Sequence, residues 1–445
     1  MPLIPAVGRK SPQMRALVAA LYVVLALGAV TMVYPFLIML GASVTSQYDQ
    51  DKYDILPLYL RSDRALFGKY VEDKFGGDFG RINAAYGTSF AKWGDIVPPP
   101  SNAAATARAW NDFVANLPAR YKTAGFGGDA ASYSPSPLLD RYRDFLQAKF
   151  HGDIRALDRA YTQEDESFGT VFPPFEQPTR HTWTPDNSPK SRDWAEFQRT
   201  LPPHFFSVNG AAPIYQQWLK EEAYPTLAAL NEAWGTNFQG YGDIRLAARA
   251  EGNAARRKDW ETFVRAKLPF RYVHVDPAAL PAYQAFLRKR YKNDIADYNG
   301  KYGAHLASLS QAALPDPDAV PAAGPPLLDW LGFLQVAPPT ALSADTPETR
   351  WGGPLGPAAQ QADWSYVQAN SGRLRWDFVG RNYRLVTQYM LLHGRAVFNT
   401  FVYCTLAILT TLIVNPLCAY ALSRYSLSYG NSVLLFLLAT MAFPG

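Results

Sequence analysis

The chain has 445 residues, 48% of them hydrophobic and only 18% charged, with a formal net charge of +5. This balance excludes wholesale disorder, which needs low hydrophobicity and high net charge. A mean hydropathy of −0.16 excludes a chain that lies in lipid from end to end. No Lys/Arg-rich block stands out, so nucleic acid is a poor fit.

The apolar residues are therefore concentrated in particular segments, and the first runs from Ala16 to Ala42 without a charge. As a helix it reaches about 40 Å, more than the ~30 Å hydrocarbon core. A cleavable signal peptide has an apolar core of only about 7–15 residues. The run is therefore read as an uncleaved transmembrane helix, residues 16–42. Arg9, Lys10 and Arg15 precede it, and Gln47, Asp49, Gln50 and Asp51 follow. The positive-inside rule then makes residues 1–15 cytoplasmic and the long segment 43–394 extracytoplasmic.

That segment contains an internal repeat. Phe67, Tyr142, Tyr215 and Tyr283 align, with Tyr70, Phe145, Trp218 and Phe286 three residues later. Phe79, Ile154, Leu227 and Ile295 stand at offset twelve, and Ile82, Leu157, Leu230 and Tyr298 at fifteen. Asn83, Asp158, Asn231 and Asn299 follow at sixteen, and Tyr86, Tyr161, Trp234 and Tyr302 at nineteen. A Trp-x-x-Phe then recurs as Trp110/Phe113, Trp194/Phe197, Trp260/Phe263 and Trp330/Phe333. A proline stands beyond each pair (Pro118, Pro202, Pro269, Pro338). Four units result, near residues 66–135, 138–210, 213–278 and 281–345.

The apolar positions share one face at 3.6 residues per turn, which predicts short helices. Gly87, Gly235 and Gly303 after the last aromatic read as C-terminal stops. Asp193, Asp259 and Asp329, each directly before its Trp, read as N-caps. Alternation at period two is nearly absent. The predicted fold is mainly α, with an all-α repeat insert whose units stack to bury their aromatic faces.

A second uncharged run, Ala396 to Leu422, predicts a second transmembrane helix at 396–422. Asn399, Asn415 and Pro416 interrupt it, which lipid tolerates when neighbouring helices satisfy the freed polar groups. The short loop with Arg424 is expected in the cytoplasm. A third run covers residues 432–445, about 21 Å as a helix, and is expected to be the start of a third span cut short.

Cofactor chemistry finds little purchase. Cys404 and Cys418 are too far apart along a helix for a disulfide. The six histidines are scattered singly, without the paired spacing of a zinc site. No GxxxxGK[ST] phosphate loop occurs. No catalytic residue, metal ligand or cofactor is assigned, and no acidic pair recurs as glycoside hydrolysis requires.

A resemblance gives the spans a context. Tyr34 to Ser43 read YPFLIMLGAS, and Asn382-Tyr383 precede the second run, which opens with Phe398-Asn399-Thr400. Its exit, Ala419 to Tyr425, reads AYALSRY, and Met441 to Gly445 read MAFPG. In order and spacing these resemble the inner-membrane permease subunit of carbohydrate-type (maltose-type) ABC transporters. The resemblance implies a multi-pass subunit of the inner membrane that moves a sugar or oligosaccharide by alternating access. It also implies a second permease subunit, separate ATPase subunits and an extracytoplasmic substrate-binding protein as partners. The chain departs from the family in placing about 350 residues between the first two spans, where the family has a few dozen. It ends before the Glu-Ala-Ala loop that docks the ATPase there, so no coupling residue is carried over. Tyr215 to Phe238 is also similar to a short segment of β-galactosidase-type glycoside hydrolases, which hints at carbohydrate surroundings.

Candidate ligand contacts in the insert are Trp218, Asn231 and Trp234, since aromatic faces with polar handles suit sugar rings. Their helical register equally suits core packing, and Asn231 equally suits backbone capping. Asn399 is a candidate for a polar pathway or an interhelical hydrogen bond. The alternative to a transporter is a membrane-anchored extracytoplasmic glycan-binding or scaffold protein.

Overall fold

A computed structural model describes residues 12–388 apart from 53, 101–102 and 125–136, together with 396–425 and scattered positions from 429 to 438. Arg9, Lys10, the end of the first expected unit and most of the expected third helix lie outside the described residues. The molecule is mainly helical and divides into two bodies, Met1–Phe378 and Val379–Gly445.

The first body begins with helix α1 (Pro12–Ala42). Its stretch Met14–Ala42 is long and apolar enough to cross a membrane. One order of elements then recurs in four runs, helix, helix, 3-10 turn, helix, 3-10 turn and three-residue strand, with a π-helical turn (Leu219–Ala223) added in the third and a 3-10 turn (Pro277–Ala279) before the fourth. The first run comprises α2 (Asp63–Phe75), α3 (Phe79–Tyr86), α4 (Ala104–Asn116) and β1 (Lys122–Ala124). The second comprises α5 (Pro137–Lys149), α6 (Ile154–Tyr161), α7 (Pro189–Arg199) and β2 (Phe206–Val208). The third comprises α8 (Ala212–Trp218), α9 (Leu227–Trp234), α10 (Ala254–Ala266) and β3 (Val273–Val275). The fourth comprises α11 (Leu280–Arg290), α12 (Ile295–Tyr302), α13 (Pro325–Val336) and β4 (Leu342–Ala344). The tail adds α14 (Pro347–Trp351), α15 (Gly356–Ala369) and the start of α16 (Ser371–Gln388), which belongs to this body as far as Phe378.

Local chemistry sets these boundaries. Asp78, Asp153 and Asp294 each accept two backbone N–H groups at the start of α3, α6 and α12. Each such cap stabilises its helix by about 0.5–2 kcal/mol. Gly87, Gly235 and Gly303 end α3, α9 and α12 in the left-handed conformation, where a glycine costs no Cβ clash. Pro118, Pro202, Pro269 and Pro338 immediately precede the second 3-10 turn of each run. Lacking N–H groups, they stop the preceding helix and set the turn.

The expected N-caps Asp193, Asp259 and Asp329 are not caps. The caps of α7 and α10 are Ser188 and Asn253, and α13 starts after Gly324. The three aspartates lie inside their helices, because their partners come from a different helix of the same segment. The all-α expectation is also corrected by the four strands. At three residues each, they are too short for alternation to register. They pair as antiparallel ribbons, β1 with β2 and β3 with β4, in one register: Lys122 opposite Val208, and Val273 opposite Ala344.

Within each segment the aromatic residues form the core. Tyr142 meets Trp194 edge-on at 4.9 Å and Phe197 at 5.2 Å. Tyr283 repeats this against Trp330 and Phe333 at 6.1 and 5.0 Å. Fully burying one such ring stabilises by about 1.5–3 kcal/mol.

The first segment is completed by the last. Phe67 meets Trp364 of α15, 5.7 Å away and edge-on, while Trp110 and Phe113 of α4 pack on Trp351 of α14 at 5.3 and 5.1 Å. Gly356 begins α15 against the α3 terminus, where a Cβ would stand 1.9 Å from the Tyr86 carbonyl oxygen. The ends of the body meet again at Lys69, only 3% exposed. Its ammonium donates to Ser46 at 2.9 Å, Asp49 at 3.0 Å and the Val44 carbonyl at 3.3 Å. The same ammonium lies 4.6 Å from the Tyr59 ring and 5.7 Å from that of Phe378. Residues just past α1 and the last residue of the body thus share one buried cation.

The second body contains α17 (Ala396–Arg424), whose stretch Phe398–Ala421 is long and apolar enough to cross a membrane. Pro416 lies inside it, and Cys404 and Cys418 are free thiols on its exposed surface.

Candidate functional site

Four aspartates, three of them buried and Asp259 half-buried, recur at equivalent places in the polar interior. Asp363 accepts from Tyr86 at 2.8 Å, Tyr70 at 3.2 Å and Lys74 at 2.7 Å. Asp193 accepts from Tyr161 at 2.8 Å and pairs with Lys149 at 2.9 Å. Asp259 accepts from Tyr224 at 2.5 Å and the Trp234 indole at 2.8 Å. Asp329 accepts from Tyr302 at 3.0 Å, from Tyr291, and from Arg290 at 3.1 Å. The donor common to all four is the aromatic at offset nineteen, and in three of them a Lys or Arg at offset seven adds the countercharge. Burial first, and Asp363 second, hold the Tyr70 and Tyr86 hydroxyls well above their ordinary pKa. Burial, then the Asp259 hydrogen bond, push Tyr224 up to about 12. The hydroxyls stay protonated as donors, so these carboxylates are engaged in joining helices to one another.

The candidate residues of the insert fall inside this framework. Trp218 and Trp234 are buried, at 8% and 4% exposure. Asn231 clamps its own loop, donating to the Phe238 carbonyl at 3.0 Å and accepting from the Phe238 N–H and Thr236 hydroxyl at 2.9 Å. Asn83 and Asn299 repeat the clamp on Phe90 and Leu306. Asn399 lies in the first turn of α17 on an exposed face, so its amide sits at the helix end rather than at mid-span.

Two clefts open on the body. One, of about 590 Å³, lies between Gln216, Asp243, Arg245 and Glu348. Glu348 accepts from the Ala212 N–H at 2.9 Å through one oxygen while its other oxygen is buried without a hydrogen bond, and Gln216 donates to the Ile244 carbonyl at 2.9 Å. The other, of about 400 Å³, lies between the 171–190 connection, α7 and the residues around Arg120 and Arg271. Here Glu176 is buried enough that its carboxyl is pushed up to about 7, with Trp194, Gln198 and Arg271 pulling the other way. Gln198 donates to it at 3.4 Å. Phe175 beside it is 55% exposed.

Sequence reasoning missed Glu176 and Phe175, which belong to no recurring position. It also missed Asp363, although the Asp-Trp pair of 193/194, 259/260 and 329/330 occurs again at 363/364 and marked it. Among the described residues no group of three or more His, Cys, Asp or Glu stands where it could hold a metal ion. Set against protein-family models, curated proteins and solved structures, the chain matches none of them.

Proposed function

We propose that the chain is a permease subunit of an ABC importer for a sugar or oligosaccharide, carrying its large repeat-built body on the outer side of the inner membrane. A second permease subunit, two ATPase subunits and a soluble binding protein complete the assembly, and ATP is hydrolysed outside this chain. The observation that carries the reading is the junction at Lys69. A folded segment whose residues 44–49 and 378 gather round one buried cation has the closely spaced ends that insertion into a loop requires. The motifs flanking the two apolar helices support that family, and the helices 14–42 and 398–421, long and apolar enough to cross a membrane, support insertion.

The test is purification of the tagged chain from membranes of its native host in mild detergent. An ATPase subunit and a second multi-pass subunit should co-purify, and ATP hydrolysis by the assembly should rise when a sugar-loaded binding protein is added. A chain that purifies alone would overturn the transporter and favour an anchored glycan-binding or scaffold protein.

A further inference from the structure

The connection between the second and third helices differs among the four segments. It spans 27 residues between α6 and α7, against 17, 19 and 22 in the others. The extra length builds a wall. Pro173, Pro174, Pro178 and Pro185 restrict its backbone. The His181 carbonyl accepts from the Phe270 N–H at 3.0 Å, and the Thr184 hydroxyl donates to the Val320 carbonyl at 3.3 Å. The wall is thus fastened to the third and fourth segments, and the 400 Å³ cleft lies behind it. That volume falls within the ~300–1,000 Å³ range of small-ligand sites.

The lining decides the ligand class. Each of its four cations already has a partner, two of them a carboxylate. Arg120 and Arg271 both pair with Asp318, at 2.7 and 2.6 Å. Lys122 donates to the Val114 carbonyl at 2.7 Å, and Lys190 to Gln163 at 3.2 Å. Lys122 and Lys190 keep their charge, offset on the same lining by the Asp186 and Glu176 carboxyls. What the cleft offers is an aromatic platform, Phe175, held by Pro174 at its rim, beside a carboxyl and an amide, Glu176 and Gln198. Trp183 adds a second ring, backed by the Arg271 guanidinium at 5.7 Å. An apolar face next to groups that both donate and accept suits a molecule with a C–H face and a rim of hydroxyls.

We propose that this cleft binds a neutral oligosaccharide, with a sugar ring on Phe175 and hydroxyls hydrogen-bonded to Glu176 and Gln198. The ligand class rests on the carbohydrate reading above, while the site itself needs no transport activity.

The test uses the full chain in lipid nanodiscs and saturation-transfer NMR. The probes are gluco-, manno- and galacto-configured neutral tetrasaccharides and a tetragalacturonate. At least one neutral sugar should bind, and Phe175→Ala and Gln198→Leu should each weaken it about ten-fold or more. Gln216→Ala, in the other cleft, should leave it within about two-fold. Phe175 is exposed, so its truncation disturbs the fold little, and near-UV circular dichroism checks both variants. Binding of no neutral sugar, binding of the uronate alone, or binding unchanged in both variants would overturn the site. The two readings separate cleanly. An ATPase that co-purifies with a chain blind to neutral sugars leaves the transporter and removes the cleft. Sugar binding through Phe175 in a chain that purifies alone does the reverse.

Discussion

Lys74 and Asp363 are 289 positions apart in sequence and 2.7 Å apart in space. The side chains are 10% and 3% exposed, and two tyrosine hydroxyls complete the carboxylate's shell. The pair is the polar centre of the contact by which the last segment closes on the first.

Asp363→Ala should therefore be among the most damaging single changes. It strands a nearly buried ammonium and two buried hydroxyls, a loss of about 3–5 kcal/mol. Arg159→Ala, which removes a pair 72% and 54% exposed, should stay within about 0.5 kcal/mol. All eleven tryptophans lie between residues 93 and 376, so tryptophan fluorescence of the intact chain reports on this body alone. Equal melting shifts for the two variants would refute the assignment.

Gly356→Ala should destabilise for a different reason. The added methyl meets backbone, the Tyr86 carbonyl oxygen at 1.9 Å and its carbon at 2.2 Å, which no rotamer relieves. Overpacking of this kind costs about 1–3 kcal/mol or more. Gly300→Ala, in α12 with open space around it, should instead stabilise by about 0.5–1 kcal/mol. Denaturant midpoints that move the same way in both would contradict the close approach.

Two groups give opposing pH dependences. Burial first, then Lys74, Arg373 and Arg141, push His204 down to about 4. Between about 4 and 6.5 the unfolded chain binds a proton there that the folded chain does not, so stability is lost as pH falls. Glu176, raised to about 7, holds a proton in the folded chain that the unfolded chain has released, so stability falls as pH rises from about 4.5 to 7. Relative to the parent, Glu176→Gln should make melting temperature climb more steeply with pH across this window. His204→Phe should make it fall, each by a few degrees. Curves parallel to the parent would refute both assignments.

How much of this was legible in the sequence depended on distance along the chain. The aromatic spacings predicted the helices because a helix face is a local property. The glycine stops were readable for the same reason. Asp193, Asp259 and Asp329 were misread because capping is the local explanation for an aspartate near a helix start, whereas the groups that donate to them come from the preceding part of the segment. Asp363 escaped because its segment is completed across the whole body. Trp218, Asn231 and Trp234 stood out by recurrence, and recurrence in a helical array selects what every unit needs to fold. The cleft residues Phe175 and Glu176 had no counterpart to draw attention to them.

The proposed topology makes a labelling prediction. With Cys404 and Cys418 replaced by Ala, a membrane-impermeant maleimide should label Lys258→Cys in intact spheroplasts at least ten times faster than Arg424→Cys. Permeabilisation should equalise them. The reverse order would invert the orientation.

The closure by α15 also sets a clock on biosynthesis. At about 5–20 residues per second, the 289 positions between Lys74 and Asp363 take roughly 15–60 s to translate. For that interval α2 and α3 are already made, yet the carboxylate that receives Tyr70, Lys74 and Tyr86 does not exist. The nascent chain must therefore hold an unfinished first segment, three donors and the Phe67 ring uncovered, behind the apolar helix α1 until nearly all of the body has emerged.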